Sequence, residues 1–399
     1  MFLQIIKFLV ASLLRLVLKV FYILPVKKNR IMFSAYTGRQ FSCNPKALFE
    51  QLYERFGDEY EYIWILNDRT MLPAKYKNIV KTVPDFKNYH ISFRFFFYIL
   101  TTKFMINNCG INYIPKRKSQ VFIQTWHGGG AYKKGGETLK YKRHVAEAAS
   151  KKLLEYSARN TTYYLASSEK MRELFHEDVF IPYEIFLNSG MPRNDIFFDK
   201  EKVRSVSEEI KKQFNLPSDN LILLYAPTFR GLVDFPEAMQ NGVLDMQRLT
   251  HTLEARFGKK VTILSRAHQS FLGNLHFSFN ESFLDVTSYP DMQELLCATD
   301  VLITDFSSSM WDFALLERPG FLFVPDLEKY IEERGLYTPI ESWPFKYAKT
   351  NDELCALVAN YSDEENKRKI HAHQNALKSF EKGIACDQVI AKIRELTQD

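Results

Sequence analysis

Asp300-Val301-Leu302-Ile303-Thr304-Asp305-Phe306-Ser307-Ser308-Ser309-Met310-Trp311-Asp312 is the stretch that decides the fold. A short apolar run ends in Thr-Asp, passes through three serines and enters a helical pattern from Trp311 to Glu317. A run this short, bounded by polar residues, reads as a strand buried on both faces of a parallel sheet. A strand that opens through hydroxyl residues into a helix N-terminus makes an anion site. Backbone N–H groups with no helical partner and the positive end of the helix dipole converge there. Ligands of open α/β sheets sit at the carboxyl ends of the strands, so the segment predicts a phosphate-bearing ligand. The plainer alternative is that Ser307 or Ser308 only caps the helix.

The same alternation extends outward in both directions. Strands are predicted at Arg30 to Ala35, Tyr60 to Leu66, Lys103 to Asn107, Gln120 to Gln124 and Tyr163 to Ala166, with helices at Pro45 to Phe56 and roughly 143–159. A charged helical stretch from Lys200 to Phe214 precedes further strands at Leu221 to Tyr225, Val261 to Ser265, Val301 to Thr304 and Gly320 to Val324. Strands alternating with helices argue for an α/β fold with helices on both faces of parallel sheets. At 399 residues the chain exceeds the size at which one core keeps growing. The expectation is two Rossmann-type doubly wound domains facing a cleft, over residues 27–205 and 206–399, the second ending in a charged helical tail from Asp352 to Thr397. Residues 1–26 form a separate N-terminal segment.

In that segment Gln4, Lys7, Ser12, Arg15 and Lys19 fall near one helical stripe, with Phe8, Leu9, Leu13, Leu14, Leu16, Val17, Val20 and Phe21 opposite. The uncharged run from Phe8 to Leu14 is too short to cross a hydrocarbon core of ~30 Å. Arg15 and Lys19 interrupt any signal-peptide pattern. A cationic amphipathic helix lying in the interface of an anionic membrane is the expectation, and a helix packed on its own domain the alternative. Lys27, Lys28 and Arg30 add positive charge beyond Pro25.

Composition is that of a globular protein, with 46% hydrophobic and 25% charged residues. A net charge of +6 favours anionic partners without choosing among them. The basic runs at Lys116-Arg117-Lys118 and Lys140 to Arg143 lack interleaved aromatic platforms, which argues against nucleic acid and for lipid headgroups or an anionic acceptor. The cysteines (Cys43, Cys109, Cys297, Cys355, Cys386) are odd in number, widely spaced and without a C-x-x-C pair, so a reducing cytoplasm fits best.

Four other clusters carry chemistry. Gln124-Thr125-Trp126-His127-Gly128-Gly129-Gly130, followed by Lys133 and Lys134, runs a strand into a histidine that could serve as general base, beside glycines that admit a ligand close to the backbone. Leu264-Ser265-Arg266-Ala267-His268 offers phosphate donors at another strand end. Tyr225-Ala226-Pro227-Thr228-Phe229-Arg230 places Thr228 and Arg230 alike. Asn188-Ser189-Gly190-Met191-Pro192-Arg193-Asn194-Asp195 is a turn that could equally be a connector. His371-x-His373 reads as a solvated face of the tail. No acidic pair is spaced to hold a metal, so no cofactor is expected, with stimulation by a divalent cation left open.

In their order these clusters, with Pro325 to Tyr330 and Arg334-Gly335, resemble the CDP-glycerol glycerophosphotransferase family of teichoic-acid and capsule synthesis. The resemblance covers roughly residues 28–380 and implies a GT-B-like fold, with an N-terminal acceptor domain and a C-terminal donor domain. It implies transfer of glycerol phosphate or ribitol phosphate from CDP-glycerol or CDP-ribitol to a hydroxyl of a polyprenyl-diphosphate-linked glycan, releasing CMP. The enzyme would sit peripherally on the cytoplasmic face of the bacterial membrane. His127 would be the catalytic base and His268 a second catalytic histidine. Arg230, Arg266, Thr304, Asp305, Ser307 and Ser308 would hold the donor, and Lys133 and Lys134 the acceptor. Ala267 and Gln269 stand where the family usually has proline, and Phe229 and Phe306 where tryptophan and tyrosine are common, which bears on the shape of the nucleotide pocket. A GT-B glycosyltransferase using a nucleotide-sugar shares the fold and the phosphate-binding logic.

Overall fold

The computed structural model describes residues 10, 12–84, 92–109, 115–130, 132–135, 147–228, 244–266 and 283–398, with 147–150 described by backbone only. The chain forms two compact units. The first takes Met1–His127, Gly135–Asp195 and Ser379–Asp399; the second takes Gly128–Lys134 and Ile196–Lys378.

The first unit is a seven-stranded sheet of β1 (Lys27–Ser34), β2 (Glu61–Ile65), β3 (Lys81–Val83), β4 (Thr102–Asn107), β5 (Val121–Gln124), β6 (Tyr163–Leu165) and β7 (Phe186–Leu187). Its order is β3-β2-β1-β4-β5-β6-β7 and every pairing is parallel. The second unit holds β8 (Leu221–Tyr225), β9 (Val261–Ser265), β10 (Phe283–Asp285), β11 (Val301–Thr304), β12 (Gly320–Phe323) and β13 (Lys346–Ala348), in the order β10-β9-β8-β11-β12-β13, again all parallel. Both sheets reverse direction of growth beside their first strand. The resulting crevices, β1/β4 and β8/β11, are the switch points at which doubly wound folds bind ligands. The expectation of two Rossmann-type sheets is met.

The apolar runs are fully buried, as parallel strands require: every residue of β8, β9, β11 and β12 is buried. Helices cover both faces. In the first unit the Cys43–Phe56 helix packs Leu48, Phe49 and Leu52 against Phe33, Tyr62 and Trp64. Phe33 stacks on Trp64 at 5.5 Å, and Phe49 meets Tyr62 edge-on at 5.3 Å. Aromatic pairs of this kind add ~1 kcal/mol each beyond their buried area.

The division of the chain differs from the expected boundary at 205/206 in three places, the first being the boundary itself, which falls at Asp195/Ile196 so that the start of the Lys200–Gln213 helix lies in the second unit. The tail returns to the first unit: the Ala385–Gln398 helix buries Cys386, Val389, Ile390 and Ile393 in the core around Phe33 and Trp64. Its N-terminal amides, of Ala385 and Cys386, donate to Asp195 at 2.9 and 2.7 Å. The glycine segment after His127 joins the second unit, where Tyr132 is buried in the core and the Lys133–Lys134 backbone pairs with Gly335 and Leu336. His373 is likewise not on a solvated face. It is buried, and its Nε2 accepts from the Tyr132 hydroxyl at 2.9 Å while Nδ1 donates to Ser342 O at 2.6 Å.

The N-terminal helix, described over 12–18 and continued by Lys19–Ile23, turns Arg15 of its polar stripe inward and leaves Lys19 exposed. Arg15 is buried, its guanidinium 3.8 Å over the Tyr156 ring, and Leu14, Leu18 and Tyr22 pack on the cluster around Phe95 and Ile99. Leu13, Leu16, Val20 and Ile23 are exposed by 63%, 64%, 70% and 87%, which leaves the apolar face outward. Arg117 does not face outward either: it donates to the carbonyls of Tyr22, Leu24 and Leu100. Among the described residues no helix is long and apolar enough to cross a membrane.

Candidate functional site

At the β1/β4 switch point of the first unit, the turn leaving β5 places His127 beside the residue that follows β4. His127 Nδ1 lies 2.9 Å from the backbone oxygen of Asn108. A carbonyl oxygen can only accept, so Nδ1 carries the proton, and in the neutral ring the lone pair lies on Nε2. The ring is half-buried, with Trp126 at 4.4 Å and Tyr36 at 5.7 Å between centroids.

The backbone around this histidine is strained. Tyr36, Thr37, Cys43 and Trp126 have φ of 49°, 57°, 64° and 55°, a region costly for bulky side chains. Hydrogen bonds hold the backbone of Tyr36 and Trp126 in place. The Asn108 side chain accepts from Tyr36 N at 2.8 Å, and Trp126 N donates to Gln124 Oε1 at 3.0 Å. Asn44 Nδ2 donates to the carbonyls of Thr125 and Trp126, both at 3.0 Å, and Asn44 Oδ1 accepts from Arg193 N at 3.1 Å. Burial, and then the neighbouring Cys43 thiol, push the Tyr36 phenol well above its ordinary value, against the pull of Arg193. Sequence reasoning missed Asn44, Tyr36 and Asn108. The polar pair Asn107-Asn108 closing an apolar strand was the available signal.

At the β8/β11 switch point of the second unit, Asp305 follows β11 and is buried. Its carboxylate accepts from Thr228 N at 2.9 and 3.0 Å and from Thr228 Oγ1 at 2.6 Å. Thr304 Oγ1 donates to Ala226 O at 2.7 Å. The two residues expected to hold a donor therefore first hold the turn that leaves β8. Phe306 is fully buried and stacks on Tyr330 at 3.8 Å with 4° between planes, which anchors the start of the serine run. Ser307 Oγ accepts from Ser309 N and Ser309 Oγ at 3.3 and 3.0 Å. Ser308 precedes the Ser309–Ala314 helix without a side-chain capping bond, so the plain cap is not the role of Ser308. Both serines are half-buried.

Arg266 follows β9, and its amide donates to Tyr225 O at 2.8 Å. Thr228, Arg266, Asp305, Ser307 and Ser308 are thus gathered at the carboxyl ends of β8, β9 and β11. His268 and Arg230 lie outside the described residues. Lys133 and Lys134 belong to the second unit, and the Lys134 stem lies against Gly335, where an added Cβ would come within 2.9 Å of it. Among the described residues no group of three or more His, Cys, Asp or Glu side chains is placed to hold a metal.

Two parallel doubly wound sheets, each with a polar cluster at its switch point, define a two-domain α/β protein of the kind that binds phosphate-bearing ligands at strand ends. Residues 16–395 match the family described as CDP-Glycerol:Poly(glycerophosphate) glycerophosphotransferase, and the chain belongs to that family. It is 29% identical over 406 residues to the teichoic acid poly(glycerol phosphate) polymerase of Bacillus spizizenii, covering 96% of this chain and 97% of the relative. It is 28% identical over 350 residues to the teichoic acid poly(ribitol-phosphate) polymerase of the same organism, covering 87% and 53%. The chain spans about half the length of several curated relatives that it matches, 45%, 50% and 53%. The solved structure of the wall teichoic acid polymerase TagF has a TM-score of 0.82 and 24% identity, covering 100% of this chain and 98% of that one, so the fold is shared.

Proposed function

We propose that the chain transfers glycerol phosphate or ribitol phosphate from a CDP-polyol to a hydroxyl of a lipid-linked glycan. The observation that carries this reading is the 2.9 Å contact of His127 Nδ1 with Asn108 O, which assigns the ring proton to Nδ1 and makes Nε2 the proton acceptor. The acceptor oxygen bonds to the distal phosphorus of the donor as its proton passes to Nε2. The bridging P–O bond breaks, and CMP leaves with the electron pair. Phosphoryl transfer depends mainly on positioning and charge stabilisation. Arg266, the hydroxyls of Ser307 and Ser308 and the backbone turn held by Asp305 supply that for the diphosphate, with His268 and Arg230 assigned to the same task. Lys133 and Lys134 are assigned to the anionic acceptor.

Family membership supports a CDP-linked donor, and the TagF structure soaked with CDPG, at a TM-score of 0.81, supports it further. The test is product analysis by mass spectrometry, giving purified protein a lipid-linked acceptor with CDP-glycerol, CDP-ribitol or a UDP-sugar. Addition of a polyol phosphate with release of CMP is expected. Addition of a sugar with no use of either CDP-polyol would overturn the proposal in favour of a glycosyltransferase.

The outward apolar face of the N-terminal helix supports a peripheral seat on the cytoplasmic face of an anionic membrane, where a lipid-linked acceptor is met. Co-sedimentation with vesicles containing phosphatidylglycerol should fall at least tenfold in a Leu16→Glu, Val20→Glu double variant. Undiminished sedimentation of that variant would refute the seat.

A further inference from the structure

The turn from Gly190 to Asp195 has no part in the reaction proposed above, yet its side chains converge on His127. Arg193 is buried, and its Nη1 donates to the His127 backbone oxygen at 2.8 Å and to Cys43 Sγ at 3.2 Å. Its own amide is fixed by Asn44 Oδ1 at 3.1 Å, and the amide group of that same asparagine holds the carbonyls of Thr125 and Trp126. The turn is itself braced from the far side. Glu381 is buried, with Oε2 accepting from Met191 N and Oε1 from Asn194 Nδ2, both at 3.1 Å, while Asp195 holds the first amides of the Ala385–Gln398 helix. Gly190 has φ +77°, and a Cβ there would lie 2.7 Å from Glu381 Oε2, so the turn closes only with glycine at that place.

A carbonyl next to a residue at φ 55° will swing to relieve the strain unless something grips it. A guanidinium grips it well, because its donors are rigid, planar and permanently charged. Arg193 holds the carbonyl of His127, Asn108 holds the ring, and Asn44 holds the two residues before it. Together they leave the imidazole one orientation.

We infer that Arg193 is a positioning residue for His127, acting through the His127 carbonyl rather than on the substrate. The inference rests on the reading of His127 as the general base. A displacement of about 1 Å in a reacting group costs on the order of 10²-fold in rate. Arg193→Ala should therefore lower kcat about 100-fold while the dissociation constant for CDP-glycerol, measured by equilibrium binding, stays within twofold. Arg193→Lys keeps the charge but not the fork, and should recover part of the loss; it also serves where the alanine variant fails to melt cooperatively.

The deciding arm is the double variant. Groups that act as one unit are not additive, so Arg193→Ala in a His127→Ala background should reduce the residual rate no further. An equal fractional loss in both backgrounds, or no loss in either, would overturn the inference. Full turnover in His127→Ala alone would instead overturn the base assignment on which it rests, so the two failures are distinguishable.

Discussion

The two switch points share a topology and use it differently. In the first unit the strand ends are crowded with left-handed backbone at bulky residues, and side-chain amides hold the carbonyls and an amide of that backbone. In the second unit no residue at the corresponding strand ends, from Tyr225 to Thr228 or from Thr304 to Ser308, has a positive φ. One carboxylate there organises one turn through three hydrogen bonds, with hydroxyls beside it. Strain over-determined by hydrogen bonds suits a single group that must point one way. A turn of backbone amides and hydroxyls suits a diphosphate, which accepts donors from several directions. On the proposed function, the sheet order provides the crevice, and the local backbone decides whether it aims a base or cradles an anion.

The largest expected effect tests that division directly. His127→Ala should lower turnover about 10³-fold with CDP-glycerol affinity within twofold, read by CMP release and by equilibrium binding. Weakened donor binding with preserved turnover would reverse the roles given to the two units.

Acid should separate the units next. His373, in the second, is held down to about 4 from an ordinary 6.5, by burial first and by Lys369 next, against the Ser342 carbonyl. The unfolded chain takes up this proton before the folded one, so stability from His373 is complete above pH 6.5 and lost as pH falls towards 4. The loss is about 3 kcal/mol at most. Glu61, in the first unit, is raised by burial but lowered more by Lys81, Lys27 and Arg30, to about 2 from 4.5. Its contribution persists above pH 4.5 and fades only towards 2. Urea unfolding at pH 7 and pH 5 should show the second unit losing stability first, and His373→Phe should flatten that loss. Simultaneous loss in both units would erase the contrast.

A smaller effect is expected from Asp305→Asn, which keeps the shape but removes the charge gripping Thr228. Hydrogen bonds to a charged group contribute roughly 1.5–3 kcal/mol, and only part of that reaches the ligand. The CDP-glycerol dissociation constant should rise about tenfold with kcat little changed. An equal fall in kcat would place Asp305 in the chemistry rather than in the cradle.

Much of this organisation was legible in the residues. Strands of four or more apolar residues stood out because burial on both faces leaves no polar alternation to blur them. β3, β7, β10 and β13 did not, since two- or three-residue strands at or near a sheet edge carry no periodic signal. His127 stood out as a candidate because a histidine between a strand and glycines has few structural uses. Arg193 was visible only as part of a motif, and its role depends on a carbonyl 66 positions away. His373 was misread for the same reason: helical periodicity around it is polar, and only Tyr132, 241 positions earlier, explains why one imidazole turns inward.

By itself, then, the sequence determined two doubly wound sheets, the serine run that follows β11, and the candidate histidine just beyond β5. These rest on local pattern, where side-chain period and turn chemistry are set by neighbours in the chain. Tertiary structure alone decided that the Ala385–Gln398 helix returns to the first unit, that Gly128–Lys134 packs in the second, and that Arg193, Asn44 and Asn108 hold His127. Those outcomes depend on partners tens to hundreds of residues apart, whose pairing is fixed only when both sheets have closed their cores.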